Sequence, residues 1–132
     1  MPVKYVLNQK GNPGDANAPK KFYGSAKSIG SITLRQLSKK IADISTVSSV
    51  DIMAVLEALL NVIPEQISEG KIVRLGDFGS FKLSIKTEGT LLEEDFSVHN
   101  IIKNRLVFTP GKEIKKTLSH IEYEKEIKVI KK

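Results

Sequence analysis

Four groups of residues have types and spacings that suggest chemistry, and each lacks a partner that chemistry needs. Asp77–Phe78–Gly79 reproduces the triplet with which protein kinases hold magnesium. A kinase also needs a glycine-rich loop, a strand lysine and a histidine–arginine–aspartate loop, none of which is present. Gly111–Lys112 ends like a phosphate-binding loop, but Leu106 stands where that loop needs its first glycine. His99 and His120 lie on separate segments, with neither a cysteine nor a second histidine at ligand spacing. The run Glu93–Glu94–Asp95 reads as a solvated acidic loop rather than a cation site. No catalytic residue, metal ligand, cofactor motif or small-molecule site emerges, and the expectation is a protein that is not an enzyme.

The residues with the clearest binding chemistry are the lysines and arginines. The chain has 132 residues and a net charge of +6, unevenly spread. Residues 1–30 carry five lysines against one acid, and residues 101–132 carry nine bases against four acids. Between them, residues 31–81 hold five bases and six acids, and residues 82–100 hold two bases and four acids. Basic ends around a near-neutral middle suggest a polyanionic partner, because clustered cations concentrate counter-ions. There are no cysteines, which excludes disulfides, thiolate catalysis and cysteine-bound zinc. No apolar run approaches the ~20 residues of a membrane span. The opening MPVKYVLNQK has no secretory core. The expected location is the cytoplasm, with no membrane partner.

These side chains need elements to position them. Residues 3–9 and Phe22 to Ala26 have strand character, separated by the turn-forming cluster GNPGDANAP. They predict an irregular hairpin or an addition to a sheet edge. Leu34, Leu37, Ile41 and Ile44 recur at helical spacing, with Thr33 and Gln36 placed for a capping box and an end near Ser45. Ser48 and Asp51 start a second helix. Its apolar positions Ile52, Val55, Leu56, Leu59, Leu60, Ile63 and Ile67 form a stripe wider than one partner helix needs. Pro64 predicts a kink or a weakened last turn, and Gly70 a left-handed stop. Ile72, Val73 and Leu75 read as a mostly buried strand, followed by a sharp turn at Gly76–Gly79. Phe81, Leu83 and Ile85 alternate with Lys82, Ser84 and Lys86, the pattern of a half-buried strand with a basic outer face. In the next strand, residues 101–108, Ile102, Asn104, Leu106 and Phe108 face one way. A short helix from Lys112 to Ile121 presents Lys112, Lys115 and Lys116. The last ten residues are either an added strand or a loose tail.

In that order these elements resemble the HU/integration-host-factor family of bacterial histone-like DNA-binding proteins. The resemblance covers roughly residues 33–121 and rests on three features. These are the two helices joined by Ser45–Ser48, the turn LGDFGSF, and VFTPGKEIKKTL at 107–118. The family's FG-x-F and F-x-x-GK signatures occur as Phe78–Phe81 and as Phe108 through Gly111–Lys112. The leading strands look more like the enlarged HU-like proteins of Bacteroidetes than the short form. The resemblance implies an α+β HU-like fold: an intertwined homodimer with a helical base, an antiparallel β-saddle and two DNA-embracing arms, here with an added N-terminal hairpin. It divides the chain into an N-terminal extension at 1–32, an HU-like domain at 33–121 and a basic tail at 122–132. Phe78, Phe81 and Phe108, with Leu59 of the second helix, would fill the dimer core. Gly79 and Ser80 would approach the sugar-phosphate backbone, and Lys112 would meet a phosphate at a helix start. Arg74, Lys82, Lys86, Lys103, Arg105, Lys115 and Lys116 complete the expected DNA-binding set.

One stretch departs from the family. Family arms are arginine-rich and end in an arginine–asparagine–proline tip whose proline wedges between base pairs. Here TEGTLLEEDFSVHN has no arginine and no proline, and it is acidic. A wedge needs cationic flanks to offset the cost of unstacking. A shortened, partly helical connection folded back on the body is expected, with Leu91, Leu92, Phe96 and Val98 as its anchors. The expected function is therefore sequence-tolerant binding of double-stranded DNA on the nucleoid by a homodimer that bends DNA weakly. The alternative is a dimeric protein-interaction module on an HU scaffold that has lost DNA binding.

Overall fold

The computed structural model describes residues 1–11, 14 and 17–126. The chain divides into two compact units, Met1–Ser31 with the segment from Leu118, and Ile32–Thr117.

The first unit is a three-stranded sheet. Strand β1 (Val3–Lys10) pairs antiparallel with β2 (Lys21–Ala26), and β6 (Tyr123–Lys125) pairs parallel with β1 on its other side. The C-terminal segment thus supplies a strand, although its last residues, 127–132, lie outside the described residues. Alternation puts Val3, Tyr5, Leu7, Phe22 and Tyr123 on one face and Lys4, Lys10, Lys21 and Glu124 on the other. Beyond the strand ends, the Lys27 N–H donates to the Lys4 carbonyl at 2.7 Å and the Glu126 N–H to that of Tyr5 at 2.9 Å. Lys27 and Glu126 also form an ion pair.

The second unit begins with α1 (Leu34–Asp43) and α2 (Ser49–Ser68). The expected caps are present. The Gln36 N–H donates to Thr33 Oγ1 at 3.2 Å, and the Thr33 N–H donates to Gln36 Oε1 at 2.9 Å. The Asp51 N–H donates to Ser48 Oγ at 3.3 Å. Helix α2 runs on through Pro64 for another turn. It then stops at Gly70, whose φ is +83°. The Gly70 N–H reaches the Ile67 carbonyl and the Lys71 N–H that of Gln66, the double bond of a Schellman ending.

The next segment differs from expectation. Strand β3 is only Val73–Arg74, and Ile72 is exposed. Leu75 leaves the strand because a 3₁₀ turn at Gly76–Phe78 starts at once, with Gly76 at φ +57°. Strands β4 (Gly79–Thr87) and β5 (Ile101–Pro110) then pair antiparallel, giving the order β3-β4-β5. Helix α3 (Lys112–Ser119) follows and ends two residues earlier than its spacing suggests.

Two glycines lock this arrangement. Gly79, at φ +149°, leaves no room for a side chain, since a Cβ would stand 2.6 Å from both the Phe108 ring and the Thr109 carbonyl oxygen. A Cβ on Gly111 would stand 2.6 Å from the Asp77 carbonyl carbon. The Gly111 N–H donates to the Phe78 carbonyl at 2.9 Å. Phe108 packs between Phe78 and Phe81, with ring centroids 5.6 and 4.8 Å away. The FG-x-F and F-x-x-GK signatures are therefore two halves of one packing unit.

Within the chain the core is slight. Among the described residues the buried large side chain is Ile52, at 7% exposure. Ser38 is buried as well, and its hydroxyl donates to the Arg35 carbonyl at 2.6 Å. The stripe of α2 is covered on one side by α1 and open on the other, where Val55 is 66% exposed. Strand β4, expected to be half-buried, leaves Leu83 and Ile85 exposed, and Leu106 of β5 is exposed as well. The connection at residues 88–100 contains 3₁₀ turns at Glu93–Asp95 and Val98–Asn100, the partly helical form expected. Its apolar anchors do not fold back, however. Leu91 and Val98 stand in solvent and Leu92 and Phe96 are partly open, because local bonds shape this segment: its 3₁₀ turns, the Ser97–Asn100 capping box and the bond from the Glu88 N–H to the Asn100 carbonyl.

The glycine lock gives a stability test. Gly79→Ala and Gly111→Ala should each destabilise the protein by about 2–3 kcal/mol in chemical denaturation, from overpacking against backbone. Gly89 has nothing within 4 Å of its Cβ position, so Gly89→Ala should change stability by less than about 1 kcal/mol.

Candidate nucleic-acid interface

The β4–β5 register decides which side chains meet. Phe81 stands opposite Phe108, Leu83 opposite Leu106 and Ile85 opposite Asn104. On the other face Lys82 stands opposite Val107, Ser84 opposite Arg105 and Lys86 opposite Lys103. Strand β3 adds Arg74, opposite Ser80, to that second face. Side chains alternate along a strand and directly opposed residues share a face. Arg74, Lys82, Lys86, Lys103 and Arg105 therefore form one exposed band across three strands.

No acid lies on this face of the sheet. Among the described residues none of the five cations makes an ion pair. Lys86 and Lys103 are directly opposed, an arrangement that costs stability in water. Such a pair is accommodated when an anion lies between or above the two charges. Glu88 begins the connection just beyond the strand, and its N–H donates to the Asn100 carbonyl at 2.8 Å. Glu93, Glu94 and Asp95 lie further along, in the first 3₁₀ turn.

Register also separates the two residues expected near a sugar-phosphate backbone. Ser80 is half-buried on the cationic face, whereas Gly79 is buried against Phe108. Thr109, opposite Ser80, adds a hydroxyl to the cationic face. Thr109 carries no charge that would mark it in the sequence, although the alternation from Arg105 through Val107 reaches it. A register shift after Lys86 leaves Ile102 without a direct partner, so it drops out of the apolar row that Asn104, Leu106 and Phe108 continue.

Lys112, Lys115 and Lys116 are exposed on α3 at the i, i+3 and i+4 spacing of one helix face. The start of the helix is held by the bond from Gly111 to Phe78, so Lys112 is fixed relative to the end of β5.

The opposite face of the sheet is apolar. Phe81, Leu83 and Leu106 line an open groove of ≈ 650 Å³ with Leu60, Ile63, Pro64 and Ile67 of α2. Leu59 and Phe78 are also partly open, at 39% and 47% exposure. No helix among the described residues is long and apolar enough to cross a membrane.

The fold has counterparts among solved structures. It is similar to a Bacteroides vulgatus protein provisionally assigned as a bacterial DNA-binding protein, with a TM-score of 0.61 and 14% identity. That match covers 96% of this chain and 50% of the other, so this chain spans half of that protein's length. It is also similar to Anabaena HU from a cocrystal with DNA, with a TM-score of 0.54 and 24% identity over 67% of this chain and 99% of that one. At these identities the likeness establishes the fold. No curated protein matches the sequence. The family model described as an HU domain fused to a winged helix-turn-helix, Ig or glycine-rich motif matches residues 1–125, and with the two locked signatures and the three-stranded sheet this places the chain in the HU-HIG family.

Proposed function

We propose that this protein is a sequence-tolerant, nucleoid-associated DNA-binding protein of architectural type that acts as a homodimer. The observation that carries the reading is the band of Arg74, Lys82, Lys86, Lys103 and Arg105 on one sheet face, free of acids and containing a directly opposed lysine pair. The other side chains on that face are Ser80, Ser84, Val107 and Thr109. It has no asparagine or glutamine to pair with adenine, and its cations suit phosphates. Affinity then comes from counter-ion release and falls steeply with salt. The solved complex of Anabaena HU with DNA, on the same fold, supports the choice of ligand. Membership of the HU family supports a binding role over a catalytic one.

Homodimerisation follows from the groove between α2 and the sheet. Its lining is mostly apolar, with Ser68 and Asn104 as the polar members, and the rest of the α2 stripe continues it into solvent. A second copy is self-complementary to such a surface, because each chain offers both an uncovered helix stripe and an uncovered sheet face. At about 25 cal/mol per Å² of apolar surface removed from water, this contact is the main source of stability the single chain lacks. The acidic connection, with neither arginine nor proline, supports coating or bridging of DNA in place of sharp bending.

A second reading rests on one specific observation. The connection is shaped by its own 3₁₀ turns and still presents Leu91, Leu92, Phe96 and Val98 to solvent among four acids. A protein-interaction module without a DNA role fits that segment. The decisive measurement is a salt titration on a duplex of ~40 bp, where the DNA-binding reading requires a shift at low salt. Lys86→Glu with Lys103→Glu should abolish the shift, and replacing Lys112, Lys115 and Lys116 by glutamate should weaken binding to every duplex alike. A wild-type protein that leaves the duplex unshifted would hand the assignment to the second reading.

In sedimentation the protein should be a dimer at micromolar concentration, with an unfolding midpoint that rises with concentration. Leu59→Asp or Phe78→Asp should unfold the chain in place of yielding a soluble monomer, and a folded wild-type monomer at micromolar concentration would refute obligate dimerisation. On an end-labelled duplex, energy transfer should change little on binding, and a large increase would contradict weak bending.

A further inference from the structure

The N-terminal sheet pairs its lysines with acids at one end and not at the other. At the β6 end, Lys4 stands opposite Glu124 in the parallel register, and Lys27 forms an ion pair with Glu126. At the hairpin end, Lys10 stands directly opposite Lys21 on the same face. Lys20 adjoins them, its aliphatic stem lying 3.8 Å from the Cβ position of Gly11. All three lysines are exposed, and among the described residues none of them makes an ion pair. The one acid in this part of the sequence, Asp15, is outside the described residues.

Directly opposed like charges destabilise an antiparallel pair. The β6 end shows that this small sheet accommodates lysine–glutamate matching where a strand supplies the acid. The hairpin end instead repeats, in a separate unit, the feature that marks the cationic band at Lys86 and Lys103. Asn8, Tyr23 and Ser25 share the face with Lys10 and Lys21. Their amide and hydroxyl groups are the neutral donors that accompany lysine at phosphate oxygens.

We propose that the Lys10–Lys21 pair, with Lys20 beside it, is a second phosphate-backbone contact through which the N-terminal sheet adds to the grip on duplex DNA. This inference rests on the DNA-binding reading of the β3-β4-β5 band. It assigns the added strands an electrostatic task that the HU-like unit alone does not require. The contact is electrostatic, since its charged members are lysines acting as point charges on a phosphate chain, while the Asn8 amide on the same face already donates to Ser25 Oγ at 3.4 Å.

The test is the slope of log affinity against log salt on a ~40-bp duplex, which reports about 0.9 per neutralised phosphate. Lys10→Gln with Lys21→Gln should lower the magnitude of that slope by about 1.8 for each protomer, or about 3.6 for the homodimer, relative to the unaltered protein. Lys4→Gln, whose lysine already faces Glu124, should leave the slope unchanged. Lys21→Glu puts an acid opposite Lys10, so it should raise the thermal midpoint of the sheet while weakening DNA binding. A double variant with the wild-type slope would overturn this contact and leave the DNA-binding reading standing. So would a loss with Lys4→Gln as large as that for each hairpin lysine. Absence of duplex binding by the unaltered protein would overturn both.

Discussion

The pairing of β4 with β5 is held in register by backbone that comes too close for side chains. Gly79 leaves room for the Phe108 ring and the Thr109 carbonyl, and Gly111 leaves room for the backbone at Asp77. The bond from the Gly111 N–H to Phe78 closes the turn onto the start of α3. A slip of one residue in this ladder would carry every cation onto the apolar face and every apolar side chain onto the cationic one. The site and the packing surface are two sides of one register, so the glycines fix both at once. Phe78, Phe81 and Phe108 fill the space beside them and make that register a packed state as well as a hydrogen-bonded one.

The apolar side of the sheet sets a second demand. A helix stripe as wide as that of α2 cannot be covered by ten residues of α1, and within one chain it is not. Among the described residues no buried side-chain polar atom lacks a hydrogen-bond partner, while hydrophobic burial is incomplete. In the proposed homodimer folding and association would be one process, because the surface that would form the core lies at the boundary of the single chain. The proposed dimer therefore supplies the core and also places two cationic bands in one molecule.

The charges are arranged against stability in water. Lys86 opposite Lys103, and Lys10 opposite Lys21, hold like charges at neighbouring positions, and no acid of strands β3, β4 and β5 themselves joins the cationic band. A sheet selected for stability alone would pair them, as the first unit does with Lys27 and Glu126. A polyanion reverses the sign of this cost, since each lysine then gains a phosphate and releases a counter-ion. The acidic connection works in the opposite sense. In the proposed function it would repel a duplex where an arm would wrap it, so the charge pattern that favours binding on the sheet would oppose enclosure.

Local features were legible in the sequence. The capping box at Thr33–Gln36, the cap at Ser48, the stop at Gly70 and the 3₁₀ character of residues 88–100 all follow from side chains acting within a few residues of themselves. The FG-x-F and F-x-x-GK signatures likewise marked the two segments that build the lock. Features made by segments far apart were not legible. Alternation predicted that Lys82 and Lys86 share a face, but the opposition of Lys86 to Lys103 depends on a ladder 17 residues apart in sequence and on a register shift at Thr87. The joining of β6 to β1 brings together the two ends of the described chain, and no local pattern announces a parallel pair of three residues. Propensity and capping are read one turn at a time, so the sequence determined where helices and turns begin and end. Register and burial depend on which distant backbone comes alongside, and only the tertiary structure decided which lysines are matched and which are left facing each other.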